Sequence, residues 1–356
     1  MASVRCGGGG DDGIMSLRIW NPAVFQGHLP PHGRYFEGWY FKLVSSDRST
    51  ALAVIPGVAW DERGPTDGHG FVQVIDGRTT QSAFVSYPLA ECSFSRRRFD
   101  VRVGPNRFSL SGLHLDIDDR QLRLQGRLEF SEPVPYPVRL LSPGVMGPYT
   151  FVPFMECYHG LVSMHHALKG AADVAWGDSG DPGRRVAMDG GSGYIEKDWG
   201  RSFPSSWVWL QSNHFDGQKA GFMLSVARIP WIRRHFTGFM AVVWVDGRFH
   251  TFATYTGARL TAIAQTAEHL EVEIEGNAHR LRVRAHRARH GTLRAPVEGR
   301  MERRIAESMD AIVEVSLRTR RGTPLFEGVG RMGGLEVAGD VGELCAGAGL
   351  PDPGLP

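Results

Sequence analysis

Alternation at every second residue constrains this chain more than any other feature. From Leu122 to Phe130, Leu122, Leu124, Leu128 and Phe130 fall on one side, and Arg123, Gln125, Arg127 and Glu129 on the other. Successive side chains of an extended backbone point to opposite faces, so a period of two marks a half-buried antiparallel strand. Leu270 to Glu275 repeats the pattern with acidic partners and Arg280 to Arg284 with basic ones, so the two are expected to pair through opposite charges. Turn signals recur at Asp76-Gly77, Gly104-Pro105-Asn106, Asp246-Gly247 and Gly276-Asn277. Long helical periodicity is absent, and Glu298 to Met309 is the best short helix candidate. The pattern predicts an all-β chain.

At 356 residues the chain exceeds the usual limit of a single core. The expected architecture is two antiparallel β-barrel or sandwich domains packed side by side. The glycine-rich stretch Ala171 to Gly193 reads as the loop region joining them. The expected division is a disordered extension over 1–20, an N-terminal domain over 21–185, a C-terminal domain over 186–345 and a disordered tail over 346–356.

The formal net charge of +2, with 4 lysines against 36 arginines, gives no mandate for nucleic acid. The arginine skew is of the kind expected from a GC-rich bacterial genome. Cys6, Cys92, Cys157 and Cys345 are far apart and match neither a disulfide framework nor a zinc pattern, which points to a reducing cytoplasm. The first residues lack the apolar core of a signal peptide, and no stretch approaches the ~20 apolar residues of a membrane span. Membrane contact is therefore expected to be peripheral, through Trp231-Ile232-Arg233-Arg234. The oligomeric state is left open.

The chemistry concentrates in Gly193-Tyr194-Ile195-Glu196-Lys197-Asp198-Trp199-Gly200. If this run is extended, Tyr194, Glu196 and Asp198 share one face, and Ile195, Lys197 and Trp199 the other. A carboxylic acid among aromatic rings suits protonation of a carbon–carbon double bond and shelter of the resulting cation. Asp198 is the candidate acid, since burial and a second carboxylate, Glu196, both favour its protonated form. The alternative is a structural salt-bridge cluster of Glu196, Lys197 and Asp198. Trp199, Trp207 and Trp209 are candidate walls, because a cation over a desolvated indole gains about 2 kcal/mol; core packing is the other reading. Glu37 is the second choice of catalytic carboxylate, beside Trp39 and Tyr40, with Lys42 or Arg34 as its partner if it is structural. Glu156, Tyr158 and His159 form a third polar group, where His159 could take a phenolic proton. Tyr194, Asn213 and His214 are further candidates to contact substrate. His159 and His165-His166 lack a recognised zinc spacing, so no metal is expected.

Several longer motifs carry a resemblance. They are Tyr35-Phe36-Glu37-Gly38-Trp39-Tyr40-Phe41-Lys42, Ser142-Pro143-Gly144-Val145-Met146-Gly147, Val152 to Gly160, Gly193 to Gly200, Phe252 to Ala258 and Gly334-Leu335-Glu336. In this order, from about Asn21 to about Leu344, the chain resembles the tocopherol cyclase family. The resemblance implies two lipocalin-like β domains, in a wider group with carotenoid 1,2-hydratases and fungal Diels–Alder cyclases, and a greasy prenylated ligand at their junction. It also implies a cofactor-free cyclase that closes a chromanol ring on a phenol or quinol. No Ser/Arg-rich transit peptide of the plant kind is read at its start, so a plastid address is not expected. Three rivals stand beside this reading: a hydratase of an isoprenoid double bond, a non-catalytic carrier of a lipophilic isoprenoid, and a two-carboxylate glycosidase. The last fits poorly, since glycosidase carboxylates face each other across a cleft.

Overall fold

The structure, a computed structural model, describes residues 18–27, 33–177 and 182–351. Most of the expected extension and the end of the expected tail, 1–17 and 352–356, lie outside the described residues. Chain contacts divide the molecule into two units. The first takes the residues up to Pro153, Cys157–Phe203 and Thr292–Arg304; the second takes Phe154–Glu156, Pro204–Gly291 and the residues from Ile305.

Twelve strands among the described residues make the first sheet. They are β1 (Tyr35–Val44), β2 (Ala51–Trp60), β3 (His69–Asp76), β4 (Ser82–Pro88), β5 (Cys92–Phe94) and β6 (Asp100–Val103). There follow β7 (Asn106–Ser109), β8 (Gly112–Asp118), β9 (Leu122–Ser131), β10 (Cys157–Trp176), β11 (Arg184–Ala187) and β12 (Ser192–Gly200). Their order is β4-β3-β2-β1-β12-β10-β9-β8-β7-β6-β5, with β11 on β10. Strand β9 shows the alternation its sequence predicts, with Leu122, Leu124, Leu128 and Phe130 buried. Strands β1 and β12 are central and buried on both faces, so their sequences carry no polar alternation. On the inner face Phe41 meets Phe99, Phe108 and Phe130, with ring centroids 5.6–6.2 Å apart. The sheet curls until Gly70 of β3 lies too close to Cys92 and Val103 for any side chain to fit there. Its hydrogen-bonded path nonetheless ends at β4 and β5, so it is a curled sheet and not a closed barrel.

The second sheet holds β13 (Trp207–Ser212), β14 (His214–Phe215), β15 (Ala220–Trp231), β16 (Arg234–Val245), β17 (Arg248–Ala253) and β18 (Arg259–Gln265). It continues with β19 (His269–Glu275), β20 (His279–His286), β21 (His290–Val297), β22 (Arg300–Thr319) and β23 (Pro324–Ala338). This path is open too, running from β17 to β18. Its core includes Val208, Leu210, Phe222, Leu224, Val272, Val283 and Val313. Helix α1 (Val341–Ala348) adds Leu344 and Cys345 to that core, and Asp340 caps it by accepting from the Gly342 N–H at 2.8 Å. The expected charge pairing of β19 with β20 is present: Glu271 faces Arg284, Glu273 faces Arg282 and Glu275 faces Arg280.

Four expectations are corrected. Residues 298–309 are not helical, and Arg300 to Met309 lie in β22. Met301, Ile305 and Met309 recur every fourth residue, a spacing that fits one strand face as well as a helix. The stretch Ala171 to Gly193 does not join domains; its described residues run through the antiparallel neighbours β10, β11 and β12. The motif Gly193 to Gly200 therefore lies in the middle of the first sheet, and the chain leaves the first unit at Phe203 rather than near residue 185. The expected C-terminal tail is preceded, and partly occupied, by α1.

Candidate active site

Strand β12 lies between β1 and β10, and register decides what its side chains meet. Asp198 stands opposite Gly38 on one side and His159 on the other; Glu196 stands opposite Tyr40 and Leu161. Directly opposed residues share a face, so Tyr194, Glu196, Asp198, Tyr40, His159 and Cys157 lie together on the outer face of the curled sheet.

His159 is clamped between the two carboxylates. Its Nδ1 lies 2.9 Å from Asp198 Oδ1, and its Nε2 lies 3.4 Å from Glu196 Oε2, an ionic contact rather than a well-formed hydrogen bond. The Tyr194 hydroxyl donates to Glu196 Oε2 at 2.6 Å. The Cys157 thiol lies 3.9 Å from Asp198 Oδ1. Burial opposes the charged imidazole, but the Asp198 and Glu196 carboxylates outweigh it, and the His159 pKa is raised well above its ordinary value. His159 therefore holds a proton at neutral pH. Burial first, and then Glu196, raise the Tyr194 phenol, which stays a neutral donor. Exposure rises along the chain of contacts: Tyr194 is 0% exposed, Glu196 4% and His159 9%, while the Asp198 side chain reaches 23%. The immediate neighbour of the Asp198 carboxyl is thus the His159 imidazole, not an aromatic wall. An apolar cluster of Phe36, Ala59, Phe71 and Met301 adjoins it, with Ile55, Phe84, Cys157 and Phe203 packed against that cluster. Gly38 keeps the space beside Asp198 clear; a Cβ there would come no nearer than 3.8 Å to Ile55.

The opposite face of the same strands is a closed ionic core. The Lys197 Nζ lies 2.5 Å from Glu37 Oε1, and both side chains are 0% exposed. The ammonium sits 4.8 Å from the ring centroids of both Trp39 and Trp199 and donates to the carbonyls of Pro22 and Val24. Glu37 also accepts from the N–H groups of Gln26 and Gly27 at 2.9–3.1 Å and from the Tyr35 hydroxyl. Burial pulls the Lys197 pKa down to about 8, with Glu37 acting against it. Glu37 therefore sits in a closed ion pair, the arrangement its structural reading calls for. Its counter-ion is Lys197; Lys42 lies on the outer face, and Arg34 pairs with Glu62 and Glu298. Trp39 and Trp199 do shelter a cation, and that cation is the resident lysine. Tyr158 stacks on Trp199 at 5.5 Å and belongs to this face as well.

The remaining candidates fall elsewhere. Trp207, Trp209, Asn213 and His214 belong to the second unit, and Glu156 lies in the short Phe154–Glu156 segment that clusters with it. Trp207 and Trp209 share a face, as their spacing predicts, and Trp207 Nε1 donates to Glu336 Oε2 at 2.7 Å. Sequence reading weighed Lys197 as a salt-bridge partner of Glu196 and Asp198, whereas the structure pairs it with Glu37, and it gave Cys157 no role at the site. Lys197 carried a signal, being one of only 4 lysines and out of phase with its acidic neighbours.

His159, Glu196 and Asp198 are also the set of described residues able to hold a metal ion, with ligand atoms within 4.8 Å of one another. Both imidazole nitrogens face carboxylates, so a metal there would compete with the proton on His159.

Two open antiparallel sheets, one bearing a histidine clamped by carboxylates on its outer face, define an all-β protein with a largely buried histidine–carboxylate cluster. The crystal structure of CghA with Sch210972 aligns with it at a TM-score of 0.53 and 12% identity, over 86% of this chain and 88% of that one. A second CghA crystal structure gives 0.53 and 12% over 90% and 96%. That likeness is one of fold. The model of the tocopherol cyclase-like family matches residues 156–339, just over half of the chain, and the chain belongs to that family. A stretch of 119 residues is 29% identical to the probable chloroplastic tocopherol cyclase of Oryza sativa subsp. japonica. It takes in 32% of this chain and 25% of the rice protein, so the match spans about a quarter of that relative's length. His159, Tyr194, Glu196 and Asp198 all lie inside the family match; Glu37, Trp39 and Tyr40 lie outside it.

Proposed function

We propose that this protein is a cofactor-independent cyclase that protonates the double bond of a prenyl chain and closes a chromanol ring on the attached phenol or quinol. The observation that carries the reading is the clamped His159, with exposure rising toward Asp198. His159 returns its proton to Asp198, and Asp198, the most exposed member, delivers it to the alkene carbon. The tertiary cation forms beside the Phe36–Phe71 cluster, and the phenol oxygen attacks it. The phenolic proton then returns to the Asp198–His159 pair, so the reaction is a net isomerisation. Family membership and the name of the rice relative support ring closure as the outcome.

Incubation with a prenylated hydroquinone in heavy water tests this. Ring closure with one deuterium on the former alkene carbon is expected. A ring-open tertiary alcohol would mean that water captures the cation, as in a hydratase. Tight binding with no isotope uptake would make the protein a carrier.

The pH profile gives a second test. Turnover falls on the alkaline side as His159 loses its proton, with a midpoint well above the ordinary imidazole value of 6.5. The same raised pKa contributes stability that is complete below 6.5 and is lost as pH rises through the folded-state value. Glu196→Gln removes one of the two carboxylates and should move the alkaline midpoint down; a midpoint that stays put would uncouple Glu196 from His159.

A further inference from the structure

The turn from Arg139 to Ser142 presents two leucines to solvent. The N–H of Arg139 donates to the Ser142 carbonyl at 2.9 Å and the N–H of Ser142 donates back at 3.0 Å, closing a two-residue tip. Leu140 and Leu141 at that tip are 75% and 77% exposed. Such tips normally carry Gly, Asn or Asp, which adopt positive φ and welcome water. Neither leucine has positive φ, so backbone geometry does not call for them. The tip is held in place, because Trp20 Nε1 donates to the Leu140 carbonyl at 3.1 Å and the Trp20 ring meets the edge of Phe151 at 5.9 Å. Val138 and Phe151 are exposed as well. From Val134 to Met155 there is no acidic residue, and Arg139 is the one charge.

We propose that this tip docks the protein on an anionic lipid bilayer. Leu140 and Leu141 enter the boundary between headgroups and acyl chains, Trp20 lies at headgroup depth, and Arg139 meets lipid phosphate. A protein partner fits less well. Four apolar side chains fall short of the ~800 Å² per side of a stable protein interface, whereas a bilayer needs no complementary shape. Charge agrees, since the only charge in the run is positive. The inference concerns the surface of the first unit and does not depend on the proposed chemistry.

The test is co-sedimentation of the full chain with vesicles of phosphatidylcholine and phosphatidylglycerol. Leu140→Asp/Leu141→Asp should lower the partition coefficient about tenfold or more, and Arg139→Glu should weaken binding on anionic vesicles more than on pure phosphatidylcholine. Both variants should keep the wild-type melting temperature, because these side chains face solvent. Arg233→Glu/Arg234→Glu is the contrasting variant, at the hairpin whose tip Ile232 is 83% exposed. Loss of sedimentation in that variant alone would overturn the assignment to Leu140 and Leu141. So would a wild-type chain that stays in the supernatant, or a leucine variant that sediments normally. A dimer that dissociates on leucine substitution would show that a second copy covers the tip, and would overturn it too.

Discussion

Asp198→Asn is expected to lower turnover about 10³-fold, within the 10²–10⁴-fold that positioned acid–base groups contribute, with ligand affinity nearly unchanged. Asparagine has the shape of aspartate and still accepts from His159 Nδ1 through its side-chain oxygen, so the clamp geometry survives. It cannot carry a proton to the alkene. The loss should therefore appear in kcat and not in KM. The variant also removes the larger of the two carboxylate influences that raise the His159 pKa, so any residual activity should have its alkaline limit shifted to lower pH. Because the two residues share one proton, His159→Gln/Asp198→Asn should be little worse than Asp198→Asn alone. Near-normal turnover in Asp198→Asn would take the residue out of the mechanism.

Lys197→Met is expected to destabilise the fold by about 3–5 kcal/mol, since it strips the Glu37 carboxyl of its partner in a site with no access to water. That corresponds to a fall in Tm on the order of 10 °C for a unit of this size. Glu37→Leu should cost a comparable amount by stranding the ammonium between Trp39 and Trp199. The double variant Glu37→Leu/Lys197→Met should be more stable than either single one, because no unpaired charge remains. Recovery should be partial, as the N–H groups of Gln26 and Gly27 lose their acceptor. Simple additivity of the two losses in thermal unfolding would refute a coupled pair. Lys197 lies between Glu196 and Asp198 in the chain and points the other way, so this ion pair also fixes the strand that presents both carboxylates.

Much of the site was legible in the bare chain. Alternation alone assigned Tyr194, Glu196 and Asp198 to one face of a strand and Lys197 and Trp199 to the other, and the structure has them so. The same alternation in Leu122 to Phe130 and in the two charged strands predicted the buried rows and the cross-strand pairs. Glu37 stayed ambiguous because a glutamate among aromatic residues reads alike as an acid or as half of an ion pair. Its counter-ion lies on a strand 160 residues away in the chain, at Lys197. The expected helix at 298–309 failed because a four-residue apolar spacing fits both a helix and a strand face.

The order of residues along the chain by itself determined that this is a β protein, which side chains share a strand face, and where its polar groups concentrate, because an extended backbone has one period and that period is local. Only the tertiary structure decided that His159 stands opposite Asp198, that Lys197 neutralises Glu37, and that the carboxylates face outward from the curl. Those facts depend on which strands become neighbours and in what register, and long-range pairing is settled by the burial of whole faces rather than by any one segment.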